Sequence, residues 1–420
     1  MNYILRTDNM WEQIRANKRN SVILLLVMAL CLMGLGYVIG IAFFGSKAGF
    51  FGLIIATAVW LVLLAVSFAG GDQILLAASK ATPVTHDVHP QLFNVVEEMT
   101  IAANLPKMPK VYIINDPAPN AFATGRSPES ASVAVTAGLL ARLNRDELQG
   151  VIAHEVSHIL HRDILFITLA GIMLGSIVLI SQVFLRGMFY SSMMGSRRRY
   201  SGGSSGGGQA QMIMMLIAIL AAILAPIFAY LLYFALSRRR EYLADAGAVR
   251  LTRYPEGLAG ALEKIANDPA PQLASANKVT APMYIANPLK GKKQRKLSDL
   301  TSTHPPISER IRILRNLSRG ASFKDYSDSY SQTVGGKPII PASALKESES
   351  VEIRQPGAKP KKAASAQKQM RQVGDIMRRV NQFTFLTCAC GLKLKIPPNF
   401  KSNKVPCPRC KRSLDVPKAG

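Results

Sequence analysis

The segment from residue 144 to residue 163 reads NRDELQGVIAHEVSHILHRD, and its spacing decides much of the fold. Asn144 followed three residues later by Glu147 resembles a helix capping box, so we expect a helix to begin here and to run through Leu160. Positions i and i+4 share one face of a helix, which places the side chains of His154 and His158 next to each other. The chain has only 6 histidines in 420 residues, so this pair is a prominent feature.

The His-Glu-x-x-His spacing of residues 154–158 indicates a metal site. Two imidazoles on one helix face can bind the same zinc ion, and Glu155 lies next to the coordination position that a water molecule would fill. From that place the Glu155 carboxylate can act as a general base. The alternative is coincidence, because two histidines and a glutamate at these spacings also occur in unrelated helices.

The composition of the chain is that of a membrane protein and excludes a disordered or fibrous one. Hydrophobic residues make up 49% of the chain and charged residues 18%, below the roughly 25% of a typical soluble protein. Four stretches contain no Asp, Glu, Lys or Arg, namely residues 21–46, 48–71, 164–185 and 208–237. Each is long enough to cross a hydrocarbon core of about 30 Å as a helix with a rise of about 1.5 Å per residue.

The distribution of basic residues predicts the membrane topology. Four basic residues precede the first apolar stretch, whereas the loop between the first two stretches has only Lys47. The positive-inside rule therefore puts the N-terminus in the cytoplasm, and four spans return residues 72–163 and 238–420 to that side. Residues 238–240, three arginines, agree with this topology, whereas the three arginines at 197–199 oppose it.

A third zinc ligand is expected where the chain leaves the fourth apolar stretch. His158 lies six residues before the third stretch, roughly 9 Å along a helix. If the third and fourth stretches pair antiparallel, Glu241 returns to the same depth, and Asp245 lies one turn further along the same face. Glu241 is therefore a candidate zinc ligand, and Asp245 a candidate for orienting a ligand imidazole. The alternative is a solvated run of charges.

At this point the sequence resembles a known family. HEVSH at 154–158 and SRRREYLADAGAV at 237–249 are similar to the HtpX-like membrane metalloproteases, relatives of the CAAX prenyl protease among the gluzincins. Two more segments match, PNAFA at 119–123 and THPP at 303–306, the latter followed by Arg310. The resemblance covers about residues 20–317.

The resemblance implies a membrane-embedded zinc endopeptidase in which His154, His158 and Glu241 bind zinc. Asn120, Ala121 and Phe122 would belong to a strand that binds extended substrate, although Asn120 also suits a plain turn into a strand. The resemblance makes His304 or Arg310 a candidate for stabilising the oxyanion and leaves the choice between them open. It further implies a role in quality control. The closeness of the site to the bilayer suggests membrane or membrane-adjacent protein substrates. We expect a bacterial inner membrane, with the active site on the cytoplasmic side that the positive-inside rule predicts.

The C-terminal tail has a separate cysteine pattern outside this resemblance. Cys388-Ala-Cys390 and Cys407-Pro-Arg-Cys410 form two close pairs, which predict a four-cysteine zinc ribbon with a second, structural zinc. Redox disulfides are the alternative. From residue 351 to residue 420 there are 16 Lys and Arg against 3 Asp and Glu, so we expect an anionic partner such as lipid headgroups or an acidic protein. Nucleic acid is not favoured, because few aromatic residues are interleaved with the charges.

The sequence as a whole predicts a mainly α, multi-span membrane protein with a gluzincin-type catalytic domain of helices plus a small sheet, and a small C-terminal four-cysteine zinc ribbon. Two other function classes stay open, namely an inactive zinc-binding scaffold and a membrane-tethered nucleic-acid or partner-binding protein. An intact Glu155 argues against the scaffold. The chain is predicted to begin with an N-terminal cytoplasmic segment at 1–20 and two transmembrane helices at 21–71. A metalloprotease domain follows at 72–317, interrupted by transmembrane helices at about 164–186 and 210–237. A basic flexible linker at 318–383 then leads to the zinc-ribbon module at 384–420.

Overall fold

Helices dominate the computed structural model, which describes residues 8–194, 207–268, 284–285, 305–317, 320–335, 352–355, 366–400 and 402–416. The described helices are α1 (Asp8–Phe44), α2 (Gly49–Ala78), α3 (Pro90–Ala102), α4 (Ala137–Arg142), α5 (Arg145–Leu160), α6 (Asp163–Met194), α7 (Gly207–Thr252), α8 (Pro255–Asn267), α9 (Ile307–Arg315), α10 (Phe323–Thr333) and α11 (Ala366–Val380). The described strands are β1 (Ala81–Pro83), β2 (Lys110–Ile114), β3 (Ala121–Thr124), β4 (Ser132–Thr136), β5 (Thr384–Thr387), β6 (Lys393–Ile396), β7 (Lys404–Pro406) and β8 (Ser413–Asp415).

Four of these helices are long and apolar enough to cross a membrane, as the sequence predicted. Their apolar segments are Val22–Phe43 in α1, Gly49–Ala78 in α2, Asp163–Tyr190 in α6 and Met212–Leu231 in α7, with mean hydropathies of 2.5 to 2.8. In α6, 73% of this segment is buried inside the protein, against 11 to 28% in the other three. Helix α6 is therefore the central helix of the bundle, and the exposed apolar faces of the others are suited to lipid.

Close backbone contact holds α1 against α2. A Cβ atom added at Gly52 would lie 2.1 Å from the carbonyl oxygen of Gly36, so neither helix could carry a larger side chain there without moving apart. Small residues of this kind allow helix backbones to approach each other in lipid, where burying apolar area provides little driving force. The bundle then packs Leu24 and Met28 of α1 against Phe166 of α6.

A four-stranded sheet stands beside the bundle with the strand order β1-β2-β4-β3. Strands β2 and β4 are parallel, whereas β3 runs antiparallel to β4 with Ala121 opposite Val135 and Thr124 opposite Ser132. Strand β3 is thus an edge of the sheet, and it faces helix α5. Residues 110–115 and 131–136 are rich in Val, Ile and Tyr, which predicts two strands, and β2 and β4 agree with these bounds to within one residue.

Helix α5 lies in the largest hydrophobic core, between the sheet and helices α7 and α8. Val151, Ile152 and Val156 are completely buried there. Helix α7 approaches α5 closely at Gly247, where a Cβ atom would lie 2.5 Å from the Ser157 hydroxyl oxygen. A side chain at this position would push α7 away from α5, so the small residue fixes the spacing between the two helices.

Two sequence predictions about this region need correction. The sequence of residues 241–266 predicts one continuous helix, whereas the structure has two, because α7 ends at Thr252 and α8 begins at Pro255. Arg253 between them has a φ of 54°, which a continuing right-handed helix does not allow. The basic segment at 318–383, predicted as a flexible linker, contains α10 and α11 among its described residues. Both helices form because they pack apolar side chains onto the hydrophobic core around helix α5, as described below for α11.

Candidate functional site

Helix α5 carries the two predicted histidine ligands on one buried face. The helix begins at a complete capping box, in which the Glu147 backbone N–H donates to Asn144 Oδ1 (2.9 Å) and the Asn144 backbone N–H donates to Glu147 Oε2 (2.8 Å). The rings of His154 and His158 are perpendicular, with centroids 4.8 Å apart. Both side chains are buried, so water does not compete for their ring nitrogens from the bulk.

Helix α7 brings Glu241 to the same two imidazoles. Glu241 Oε2 lies 3.5 Å from His154 Nε2, and Glu241 Oε1 lies 3.5 Å from His158 Nε2. Zinc with bonds of about 2.0–2.1 Å in a tetrahedron separates its ligand atoms by roughly 3.3–3.4 Å. One nitrogen from each histidine and one Glu241 oxygen all lie within 4.8 Å of one another, so the three groups fit a single zinc ion.

A carboxylate lies behind each histidine. Asp245 Oδ1 is 2.9 Å from His154 Nδ1, and Asp163 Oδ2 is 3.5 Å from His158 Nδ1. A carboxylate at Nδ1 keeps the proton there, so that Nε2 presents its lone pair to the metal. The role of Asp163 was missed by the sequence analysis, although a buried acidic residue at the first position of an apolar helix is a signal that it has a partner.

Each of these carboxylates has a buried arginine next to it. Arg310 of α9 is completely buried and donates to Asp245 from Nε (2.8 Å) and Nη2 (2.7 Å). Arg240 lies with Nε 3.8 Å from Asp163 Oδ1, and its guanidinium is 3.4 Å from the ring centre of Phe166. Carboxylates and guanidinium groups compensate each other's charge here, which makes the burial of all of them tolerable.

The two residues predicted as alternatives for the oxyanion are placed differently. The Arg310 guanidinium also donates to the carbonyl oxygen of Ile285 (3.2 Å) and approaches Glu241 Oε2 to 3.4 Å. It therefore lies behind the carboxylates of Glu241 and Asp245. His304 lies outside the described residues.

Glu155 lies beside the two histidines and is shielded from solvent. It is only 2% exposed, and burial raises the pKa of its carboxyl, although His154 and His158 oppose this increase and the backbone N–H of Ala123 also lowers it. A raised pKa brings a carboxylate closer to the range in which it can both accept and return a proton near neutral pH.

The segment predicted to bind substrate lies at the edge strand. The Asn120 side chain accepts a hydrogen bond from the Ala121 backbone N–H (3.1 Å), and Ala121 and Phe122 are buried. The Phe122 ring meets Tyr284 edge to face at 5.1 Å. The backbone N–H of Ile285 donates to the Ala121 carbonyl (3.0 Å), so this part of the β3 edge already has a partner within the chain.

His161 is separate from the candidate zinc site. Its ring is buried next to Gly247 and Ser157, and burial lowers its pKa to about 4, so the imidazole is neutral at physiological pH. Among the described residues, the group that can hold a metal here contains His154, His158 and Glu241 without His161.

The four tail cysteines come together as a second group. The hairpins β5–β6 and β7–β8 bring their sulfur atoms within 4.8 Å of one another. The Sγ atoms of Cys388 and Cys410 are 3.3 Å apart, and those of Cys390 and Cys407 are 3.6 Å apart. Zinc–sulfur bonds of about 2.3 Å in a tetrahedron give sulfur separations of roughly 3.8 Å, so this group also fits zinc.

Comparisons with known proteins show what this chain is similar to. Residues 87–318 match peptidase family M48. A protease HtpX homolog from Dictyoglomus thermophilum is 45% identical over 305 residues, which cover 73% of this chain and 94% of the relative. The homolog from Listeria monocytogenes serotype 4a is 42% identical over 309 residues, 73% of this chain and all of the relative. The crystal structure of S. mikatae Ste24p is 20% identical, with a TM-score of 0.36 over 62% of this chain and 57% of that one.

Proposed function

The chain belongs to peptidase family M48, and we propose that His154, His158 and Glu241 hold the catalytic zinc of this integral membrane metalloprotease. The observation that carries the assignment is the pair of 3.5 Å distances from the two Glu241 oxygens to the two imidazole nitrogens. Three protein ligands leave one coordination position open, as catalytic zinc requires.

Glu155 performs the proton transfers in this proposal. When bound, zinc supplies Lewis acidity to a water molecule and to the scissile carbonyl. The buried Glu155 carboxylate accepts the proton of the attacking water and passes it to the leaving amine, which restores the carboxylate. Its buried position supports both steps, because the raised pKa makes Glu155 a better base than an exposed glutamate.

The surrounding charges position the ligands. Asp245 and Asp163 orient His154 and His158, and Arg310 holds Asp245 in place. We assign Arg310 to this positioning task rather than to the oxyanion, because its guanidinium is bonded to Asp245 and buried behind the ligands. His304 stays the candidate for stabilising the oxyanion.

The substrates are proteins, and we propose that they are membrane or membrane-adjacent ones. Glu241 follows the Met212–Leu231 apolar segment by ten residues, about 15 Å along helix α7. An extended substrate would lie along the β3 edge near Ala123, next to Glu155. A quality-control role, a bacterial inner membrane and a cytoplasmic active site belong to the same proposal, since the positive-inside rule puts the catalytic side in the cytoplasm.

We also propose that the four tail cysteines bind a second, structural zinc. A module of about 33 residues is too small to be stabilised by its own apolar core, so metal binding would provide its folding energy. The basic surface of this module would contact an anionic partner, and nucleic acid is not favoured. Replacing Cys388 and Cys390 with serine should reduce the zinc content of the purified chain from two ions to one. A content that stays at two would contradict the site.

The Glu155→Gln variant tests the catalytic proposal. The amide cannot accept a proton, so cleavage of a protein substrate such as casein should fall by roughly 10²–10⁴-fold. Because Glu155 is not a ligand, the variant should keep the zinc content of the parent. If the purified parent binds zinc but cleaves no better than Glu155→Gln, the chain is an inactive zinc scaffold instead.

A further inference from the structure

The C-terminal extension is built into the catalytic domain. The matches to the protease relatives cover 73% of this chain, and the family match ends at residue 318. Beyond that limit, helix α11 packs on α4 and buries Val373 and Met377 in the same core as helix α5. Arg354 adds a second attachment, because its guanidinium donates to Asp146 (2.9 Å) and Gln149 (3.1 Å) in α5.

Helix α11 in turn carries the four-cysteine module, which we call the ribbon (residues 384–416). Lys395 Nζ lies 2.5 Å from Asp375 Oδ1, and the Arg379 guanidinium stands over the Phe385 ring at 5.4 Å. Since α11 is seated in the core, these contacts place the ribbon next to the protease domain.

The surface of the ribbon is strongly basic. Its sequence has seven Lys and Arg and one acidic residue, Asp415. Four thiolates around a zinc dication would remove two of the six excess charges, which leaves the ribbon about four charges positive. Lys393, Arg409 and Arg412 are exposed, so the positive charge faces solvent.

We infer that the ribbon is a recruitment site for acidic segments of the protease's own polypeptide substrates, an inference that rests on the proposed function. A lipid surface is less suited, because helix α11 buries Val373 and Met377 in the protein, so most of its apolar face is not available for insertion. A nucleic acid is less suited too, because Phe385 lies under Arg379 and Phe400 is the one other ring of the ribbon, which is too few for a stacking surface.

The position of α11 on α4 determines how many residues must separate the acidic segment of a substrate from its scissile bond. Helix α5 begins at Arg145, shortly after α4, and His154 lies nine residues further, about 14 Å along the helix. Adding the width and length of α11 places the ribbon on the order of 20–50 Å from the candidate zinc site. An extended chain rises about 3.3 Å per residue, so an acidic segment should lie roughly 6–15 residues from the scissile bond.

The experiment uses the full-length, zinc-loaded protein in detergent and one quenched fluorogenic peptide in three forms. The first ends in a fifteen-residue Gly/Ser spacer and six glutamates, the second has the same spacer and six glutamines, and the third has the six glutamates directly beside the cleaved core. The variant is Lys393→Glu with Arg412→Glu. The matched control is Lys107→Glu with Lys324→Glu, two exposed lysines outside the ribbon.

We expect the ribbon variant to lower kcat/KM for the spaced glutamate peptide on the order of tenfold, through KM, and to leave the glutamine peptide unchanged. The control variant should cleave all three peptides like the parent. The parent should cleave the peptide with directly adjacent glutamates no better than the glutamine peptide. About 0.5 M salt should remove the difference between the spaced glutamate peptide and the glutamine peptide. If charge reversal costs the ribbon its zinc, Lys393→Gln with Arg412→Gln should give the same result with a smaller effect.

Three results would overturn the inference. Equal cleavage of the spaced glutamate and glutamine peptides by the parent would show that the ribbon does not recruit acidic chains. A variant that cleaves normally but no longer binds vesicles of phosphatidylglycerol would assign the ribbon to lipid. A variant that loses binding only to a short RNA would assign it to nucleic acid. If the parent still cleaves the glutamine peptide in these experiments, the proposed protease function stands even though the recruitment inference fails. If the parent cleaves none of the three peptides, the proposed protease function itself is refuted.

Discussion

Removing Asp245 should separate the stability of the candidate site from its affinity for zinc. In Asp245→Ala, the completely buried Arg310 loses both of its bonds to the carboxylate, and His154 loses its partner at Nδ1. Removing one partner of a buried ion pair typically costs about 3–5 kcal/mol, and Glu241 Oε2, 3.4 Å from the guanidinium, keeps the cost at the lower end of this range. For a domain of this size, about 2–4 °C of melting temperature corresponds to 1 kcal/mol, so the metal-free variant should melt roughly 6–12 °C lower.

A double variant isolates the zinc effect. Asp245→Leu with Arg310→Met replaces both charges with apolar groups of similar volume, so the melting temperature should return close to that of the parent. Zinc affinity should stay low, by roughly 10–100-fold, because His154 still lacks the carboxylate that orients it.

The assay measures melting of the metal-free proteins in detergent and zinc binding by competition with a chelator. Asp87→Ala is the control, since its side chain is 97% exposed. The reasoning fails if Asp245→Ala melts like the parent, or if the double variant recovers stability and zinc affinity together.

Three further predictions concern the residues around the candidate zinc site. Asp163→Asn should weaken zinc binding by roughly 10–100-fold in the same competition assay, whereas Asp87→Asn should not, and equal affinities would remove Asp163 from the site. Glu241→Ala should abolish zinc at the His154–His158 pair whereas His161→Ala should not, as metal analysis with the ribbon cysteines replaced would show; the reverse pattern would transfer the ligand role to His161. The acid limb of kcat/KM should follow the protonation of Glu155 while the zinc content stays constant, because cleavage requires its carboxylate form; a fall in activity that matches a loss of zinc instead would contradict this.

Local signals in the sequence predicted the parts of the site that lie on one element. The capping box at Asn144 and the spacing of His154 and His158 predicted helix α5 with its two imidazoles on one face. The depth argument from the apolar stretches also predicted Glu241 next to them, because continuous helices carry the chain a known distance per residue.

Contacts between distant segments were not visible in the sequence. Asp163 is the first residue of helix α6 and Arg240 lies in helix α7, so only the packing of α6 against α7 makes their side chains neighbours. Arg310 likewise appeared as a candidate for the oxyanion, since nothing in the sequence shows that its guanidinium is buried against Asp245. Pairing of charges across elements depends on the tertiary structure, which a spacing rule does not describe.

The extension was misread because composition was averaged over too long a segment. Residues 318–383 are polar and basic as a whole, which is typical of a linker. Val373, Ile376, Met377 and Val380 nevertheless follow the i, i+3, i+4, i+7 pattern of an amphipathic helix, and α11 buries that face in the core. The break between α7 and α8 also had a signal, since Pro255 disfavours a helical residue before it.

The most direct test of the account is anomalous diffraction at the zinc edge from crystals of the full-length Glu155→Gln protein. We expect a zinc peak about 2.0–2.2 Å from His154 Nε2, His158 Nε2 and one Glu241 oxygen, in a variant that no longer cleaves peptides. A zinc peak bound by other residues, or no peak between these three in protein that binds zinc, would contradict it.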